Sequence, residues 1–117
     1  MSETDTVTAL RAQCRALVID WDAAKDTPGK ANEIFNTHHA LYKRLHVSPA
    51  GREAITGLLD DPATAVRLAA ATHSLQWAPE RAQRVLEEIE QLPASLYAVD
   101  AKWILRSYHA GTLDLDW

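Results

Sequence analysis

Apolar residues recur along this chain at spacings of three and four, the period of helices that bury one face. The first such run extends from about residue 4 to residue 26 and includes Cys14, Val18 and Trp21. A second run, over residues 31–45, follows the period more closely. No stretch alternates polar and apolar residues for long enough to build a sheet. The pattern therefore predicts an all-α fold of about six helices.

Proline marks the beginnings of the later helices. Ser48-Pro49 and Asp61-Pro62 each place a side-chain acceptor for an orphan backbone N–H before a proline, whose missing N–H is harmless in the first turn. Ala78-Pro79 opens the fifth helix with a poorer cap, because alanine has no side-chain acceptor. Gly111 is expected to end the sixth helix in the left-handed conformation. Such short turns favour consecutive helices packed as antiparallel hairpins.

The sixth predicted helix carries a row of large apolar residues. They are Leu96, Val99, Trp103, Ile104 and Tyr108. Their spacing predicts one buried face. We therefore expect Trp103 to lie in the core, as we expect for the tryptophan of the first helix.

Residues 61–75 resemble the second half of a HEAT repeat, in which an Asp-Pro turn leads into a helix with Val-Arg, then paired alanines, then leucine. Here these elements are Asp61-Pro62, Val66-Arg67, Ala69-Ala70 and Leu75. The resemblance implies that the small alanines permit close helix approach and that Arg67 reaches an aspartate of a neighbouring turn. It also implies a right-handed stack in which helices three and four form one repeat, and helices five and six a second, degenerate one.

The chain as a whole resembles a small bacterial family known as a domain of unknown function, number two thousand and nineteen of its series. Three motifs carry this resemblance. They are Leu-Tyr-Lys-Arg-Leu at residues 41–45, the Asp-Pro to Ser-Leu core at residues 61–75, and Ala-Pro-Glu-Arg-Ala at residues 78–82. The resemblance supplies no catalytic residue.

The length of 117 residues is typical of one domain. We expect a single helical domain over residues 1–117, made of an N-terminal helix pair (1–46), two HEAT-like pairs (48–110) and a C-terminal tail (111–117). Cys14 is the only cysteine, which excludes an intramolecular disulfide. The acidic, polar N-terminus and the lack of a long apolar run predict a cytoplasmic protein without a membrane span.

The net charge of −4 is unevenly distributed. Residues 1–59 hold seven acidic and seven basic side chains, whereas residues 60–117 hold nine acidic and five basic ones, so the whole acidic excess lies in the second half. Nucleic-acid binding usually requires a basic excess, because neutralised phosphates supply most of the non-specific affinity. The sequence therefore disfavours nucleic acid as a partner.

Five histidines raise the question of a metal site. His38 and His39 are adjacent and point about 100° apart on a helix, and the His-Glu-x-x-His spacing of zinc helices is absent. We expect His38 and His73 to be core side chains, His39 and His46 to be exposed, and Cys14 to be a small buried hydrophobe. No metal, cofactor or catalytic residue is predicted, because neither a nucleophile elbow nor a glycine-rich phosphate loop is present.

An acidic cluster in the second half suggests a partner-binding surface. Glu87, Glu88 and Glu90 crowd the C-terminal end of a predicted helix, where negative charge opposes the macrodipole. The cluster is either a solvated face, in which Arg84 pairs with Glu80 and Glu88, or an acidic docking surface.

Two tryptophans are further candidates for partner contacts, since tryptophan is enriched in interface hot spots. Trp77 lies at a helix end before a proline, and Trp117 is the final residue of the sequence. For Trp117 two interpretations stay open: it contacts a partner, or it packs back onto the domain.

The leading functional hypothesis is a non-enzymatic protein-binding domain that docks a basic protein, for example an immunity or antagonist protein. The alternative is a HEAT-like domain that recognises nucleic acid or a nucleobase. This alternative requires one continuous basic face, formed by Arg11, Arg15, Lys25, Lys30, Lys43, Arg44 and Arg52.

Overall fold

The protein is all-α in a computed structural model that describes residues 3–24 and 26–113. Its helices are α1 (Glu3–Ala24), α2 (Pro28–Leu45), α3 (Pro49–Thr56), α4 (Thr64–Ser74), α5 (Pro79–Glu90) and α6 (Leu96–Ala110), with a 3-10 turn at Gly57–Asp60. No strand occurs within the described residues. The prediction of an all-α fold with six helices is confirmed.

Backbone contacts divide the chain into two compact units, Met1–Leu58 and Leu59–Trp117. The first unit contains α1, α2 and α3, and the second contains α4, α5 and α6. The division falls between α3 and α4, the two helices that the HEAT resemblance assigned to one repeat. The right-handed stack therefore stays a prediction.

In the first unit, α1 packs against both α2 and α3. Val18, Leu41, Tyr42 and Ile55 are among its buried core residues. Cys14 is buried with them, and burial raises the pKa of its thiol to about 11, because the charged thiolate is poorly solvated there. The prediction that this cysteine is a small buried hydrophobe is confirmed.

The turn between α2 and α3 forms as the sequence predicts. The Oγ of Ser48 accepts a hydrogen bond from the backbone N–H of Gly51 at 3.0 Å, and Pro49 is the first residue of α3. A Cβ atom on Gly51 would collide with the backbone carbonyl group of Leu45, so the chain approaches itself closely here. The Nε of Arg52 donates to the carbonyl oxygen of residue 46 at 2.7 Å and braces the turn.

The histidines of the first unit differ from their predicted burial: His38 is less buried than the predicted core position, and His39 and His46 are less exposed than predicted. His38, His39 and His46 are all half-buried, so the predicted exposure of His39 and His46 is wrong. Both rings stack on an aromatic ring one helical turn earlier, His39 on Phe35 and His46 on Tyr42. Burial lowers the pKa of His38, and the neighbouring charge of His39 lowers it further.

In the second unit, α5 packs against α4 and α6, and α4 also contacts α6. The core contains the completely buried side chains of Val66, Leu86 and Ala101, together with Ala70 and Ile89. The alanines are small enough for neighbouring helices to approach closely. The burial of Ala70 agrees with the close helix approach that the HEAT resemblance implies for the paired alanines, whereas Ala69 is half-buried.

The beginning of α4 differs from the prediction. The helix starts at Thr64, with Ala63 as its N-cap, and Asp61 and Pro62 precede it. The Oδ1 of Asp61 accepts a hydrogen bond from the N–H of Ala63 at 2.8 Å, which makes a local side-chain turn. The prediction that Asp61-Pro62 caps and opens the helix is therefore wrong. The 3-10 turn that ends at Asp60 leaves these two residues to form the connection itself.

Arg67 braces this connection from within α4. Its Nη1 donates to the carbonyl oxygens of Asp61 at 2.9 Å and Pro62 at 3.3 Å, and its Nη2 donates to the Oγ1 of Thr64 at 3.3 Å. The HEAT resemblance implied a contact with an aspartate of a neighbouring turn. The two carbonyl partners belong instead to the turn before the arginine's own helix, and Thr64 is the first residue of that helix.

The two ends of α6 are capped by side chain and backbone conformation. The Oγ of Ser95 accepts a hydrogen bond from the N–H of Tyr97 at 3.2 Å, and Gly111 has a φ of 73°, the left-handed conformation that was predicted for it. By contrast, α5 begins after Ala78 without a side-chain cap, also as predicted.

Candidate functional site

Of the five large apolar residues predicted for the core side of the sixth helix, three are turned toward solvent, whereas Ile104 and Tyr108 are half-buried. Leu96, Val99 and Trp103 are 77%, 51% and 64% exposed, whereas Ala101 and Leu105 are buried. The prediction that Trp103, Val99 and Leu96 lie in the core is therefore wrong. Helical spacing shows which residues share a face, but α6 has two apolar faces. The face that contains Ala101 and Leu105 packs against the rest of the unit, and the face with the larger residues does not.

Leu96, Val99 and Trp103 form one continuous surface, which we call the α6 stripe. Spacings of three and four residues place the three side chains on the same side of the helix. The buried Ala101 lies two positions from both Val99 and Trp103, about 200° around the helix. The α6 stripe therefore points away from the core of its unit.

Charged residues border the α6 stripe on both sides. Lys102 and Arg106, one helical turn after Val99 and Trp103, are exposed along one border. Asp100 is exposed along the other. Within the described part of the chain, neither Lys102 nor Arg106 forms an ion pair. An external carboxylate can therefore approach either cation without breaking an ion pair among the described residues.

A groove of about 640 Å³ separates the basic border of the α6 stripe from α5. Its lining consists of Glu87 and Glu90 from α5 and of Lys102, Leu105, Arg106, His109 and Ala110 from α6. The structure therefore brings two of the three clustered glutamates next to basic side chains. The charge of the acidic cluster is partly compensated in this groove.

The third member of the acidic cluster, Glu88, is exposed and does not line the groove. The solvated-face interpretation required Arg84 to pair with Glu80 or Glu88, and among the described residues neither pair is formed. Arg81 instead pairs with Asp60 at 2.8 Å. That pair is largely exposed, so we expect it to contribute little to stability.

The two candidate tryptophans have different outcomes. Trp77 is half-buried after the end of α4. Trp117 lies outside the described residues, as does Asp114 at the start of the same segment. Trp21, predicted for the core, is half-buried in α1. The tryptophan that the structure adds to the candidate surface is Trp103.

Two basic residues of the nucleic-acid alternative make contacts within the first unit. The guanidinium group of Arg11 occupies the space that a Cβ on Gly57 would need, and Arg52 donates to the carbonyl oxygen of residue 46. Lys25 lies outside the described residues. The exposed members of the set are Arg15, Lys30, Lys43, Arg44 and Arg52.

Within residues 3–24 and 26–113, no three His, Cys, Asp or Glu side chains are grouped so that they could hold a metal ion. His73 is half-buried in α4. In the same residues, no helix has the length and apolar composition required to cross a membrane.

The sequence contains a signal for the α6 stripe that the periodicity argument missed. Apolar residues occupy so many positions of α6 that they cannot all fit a single buried face of a helix that packs on one side. Lys102 and Arg106 are spaced one turn apart and follow the exposed apolar residues at three positions. The basic row therefore marks which of the two apolar faces borders solvent.

Comparison with known proteins places this architecture in a family. No curated protein matches the sequence. The chain is similar to the protein RPA1889 from Rhodopseudomonas palustris CGA009, whose crystal structure is known, with a TM-score of 0.83 and 26% sequence identity over 97% of this chain and 93% of that chain. The family model for the Domain of unknown function (DUF2019) matches residues 15–109, and the chain belongs to this family.

Proposed function

We propose that this chain is a non-enzymatic protein-binding domain of the cytoplasm and that the α6 stripe is its principal binding surface. The observation that carries the proposal is the exposure of three large apolar side chains, between 51% and 77%, on one face of one helix. Contiguous exposed apolar patches on soluble domains commonly mark interaction sites.

The composition of the α6 stripe suits protein recognition. Trp103 supplies a large, rigid contact area, and tryptophan is among the residues most enriched at interface hot spots. Leu96 and Val99 extend this contact along the helix, and Lys102 and Arg106 provide a polar rim beside it. An apolar centre with a charged rim is the usual organisation of a protein–protein interface.

A second candidate surface is the acidic outer side of α5. Glu88 is exposed there, next to the exposed Glu87 at the edge of the groove, and this observation favours a basic partner, as an immunity or antagonist protein would have. In this case Glu87→Lys combined with Glu88→Lys should slow association and reduce its salt dependence. Wild-type association rates for the double variant would exclude a contribution of this surface.

Site-specific photocrosslinking in the cells that produce the protein tests the α6 surface. We replace Val99, in the α6 stripe, by p-benzoylphenylalanine, and we make the same replacement at Val47, which is 71% exposed in the first unit and serves as the matched control. The expected result is a discrete protein adduct at position 99 that is absent at position 47 and is lost when Trp103→Ala is added. Identical adducts at both positions, or none at position 99, would contradict the proposal.

A further inference from the structure

The order of charges on the α5-facing border of the α6 stripe constrains the chemistry of what covers that border, whereas the opposite border carries the exposed Asp100. Moving from the stripe toward α5, a contacting segment meets Lys102 and Arg106 first, and the carboxylates of Glu87 and Glu90 only across the groove. The two cations lie one helical turn apart and form no ion pair within the described residues. They can therefore pair with two carboxylates spaced one turn apart on another helix.

The area of the α6 stripe indicates a small occupant. Three exposed side chains amount to a patch of a few hundred Å², the usual size of a functional patch on a monomer. Two such patches, one from each of two copies, would bury less than the roughly 1,200 Å² at the lower limit of stable interfaces. The patch is better suited to one amphipathic helix, whose anchors at successive turns match the spacing of the stripe.

An anionic membrane surface would also attract Lys102 and Arg106, but the surroundings disfavour it. Glu87 and Glu90 share the groove with these cations, and Glu88 is exposed on the same helix as the other two glutamates. A flat anionic surface laid over the basic border and the groove would meet the carboxylates of Glu87 and Glu90, whereas a single helix can lie along the basic border without approaching them.

We propose that the partner segment that covers the α6 stripe is an acidic amphipathic helix, whose apolar face contacts Leu96, Val99 and Trp103 and whose carboxylates pair with Lys102 and Arg106. This inference rests on the proposed function and adds the sign of the partner's charge. The α6 stripe would then prefer an acidic partner, whereas the outer side of α5, in the same unit, would prefer a basic one.

Two synthetic helical peptides test the sign directly. They share one apolar face with leucine and tryptophan anchors and differ only at the flanking positions, which are glutamate in one and lysine in the other. Binding of each labelled peptide to the full chain is measured by fluorescence anisotropy at low and high salt. We expect the glutamate peptide to bind about tenfold more tightly at low salt, and the preference to shrink as salt screens the charges.

Two double variants with the same change in charge locate the effect. Lys102→Glu with Arg106→Glu should abolish or reverse the preference for the glutamate peptide. Lys43→Glu with Arg44→Glu, at two exposed positions of α2, should leave it unchanged. Trp103→Ala should weaken both peptides about equally, because it removes the apolar anchor and leaves the charges.

The outcomes separate this inference from the function on which it rests. If position 99 crosslinks a partner but the lysine peptide binds as tightly as the glutamate peptide or more so, the binding function stands and the acidic partner is wrong. A preference that survives Lys102→Glu with Arg106→Glu would place the contact elsewhere and overturn the inference.

Other occupants would be recognised in the same samples, and each would overturn the inference. Self-association that depends on concentration and disappears in Trp103→Ala would assign the surface to a second copy. Co-sedimentation with phosphatidylglycerol vesicles, without binding of either peptide, would assign it to a lipid surface. Binding of the glutamate peptide that is absent in the full chain and appears only after removal of residues 114–117 would assign it to the chain's own C-terminal segment.

Discussion

The neighbouring helices α5 and α6 use their apolar residues in different ways. In α5 the large apolar side chains and Ala82 face the core, and Val85, Leu86 and Ile89 are at most 8% exposed. In α6 the core side is formed by Ala101 and Leu105, and larger apolar residues face solvent. Every apolar residue of α5 therefore belongs to the core of the unit, whereas the three residues of the α6 stripe lie outside that core. Surface that folding does not require is the natural place to look for function.

The largest expected effect comes from exchanging one large side chain in each helix for alanine. Leu86→Ala in α5 should lower the free energy of unfolding by about 2–5 kcal/mol, because it removes a completely buried side chain and leaves a cavity. Trp103→Ala in α6 should change it by less than about 0.5 kcal/mol, as at other exposed sites. Urea denaturation of the two variants measures both values.

The conservative variants Leu86→Met and Trp103→Phe serve as controls, since Leu86→Met should cost less than about 1.5 kcal/mol. A loss of several kcal/mol for Trp103→Ala would show that this tryptophan supports the core after all. The contrast between the two helices would then be wrong.

A smaller effect concerns the connection that precedes α4. Arg67→Ala should lower the free energy of unfolding by about 1–3 kcal/mol, because the carbonyl oxygens of Asp61 and Pro62 lose their charged donor and the arginine stem loses its packing. Arg67→Lys keeps the charge but not the forked geometry, and should recover only part of the loss. Thermal melts that are unchanged in Arg67→Ala would mean that the turn does not depend on this side chain.

The smallest effects concern the first turns of the two helices. Ser95→Ala should destabilise the chain by about 0.5–2 kcal/mol, because the N–H of Tyr97 loses its acceptor at the start of α6. Ala78→Ser should instead stabilise it by up to about 1 kcal/mol, since α5 begins without a side-chain cap. Chemical denaturation resolves both changes, and Ser95→Thr is expected to retain most of the stability. Equal and negligible effects would mean that neither cap matters to the unit.

The sequence was sufficient to predict features that depend on a few consecutive residues. The hydroxyl of Ser48 at the start of α3, the left-handed Gly111 after α6 and the uncapped start of α5 follow from local chemistry, and each appears in the structure. The membership in the family was predicted as well, because its motifs are continuous stretches of sequence.

Features that depend on how the helices pack against one another could not be predicted from a few consecutive residues. The exposure of Trp103 was missed because an apolar period does not state which of two apolar faces packs against the unit. The partial burial of His39 and His46 depends on how α2 packs and on stacking with aromatic rings one turn away. The start of α4 was displaced because a preceding 3-10 turn ends at Asp60, and no local signal announced it.

Gly51 limits how relatives of this chain can diverge. Glycine is a poor residue for a helix, and selection for helix stability alone would replace it with alanine. Here the backbone carbonyl group of Leu45 occupies the space of a Cβ atom, so even a methyl group is excluded. We therefore expect no substitution of Gly51 to be tolerated while the α2–α3 connection keeps its shape. Among homologues, a residue other than glycine at the equivalent position should coincide with an altered length or path of that connection. The residue type at this position should therefore indicate which conformation the connection adopts.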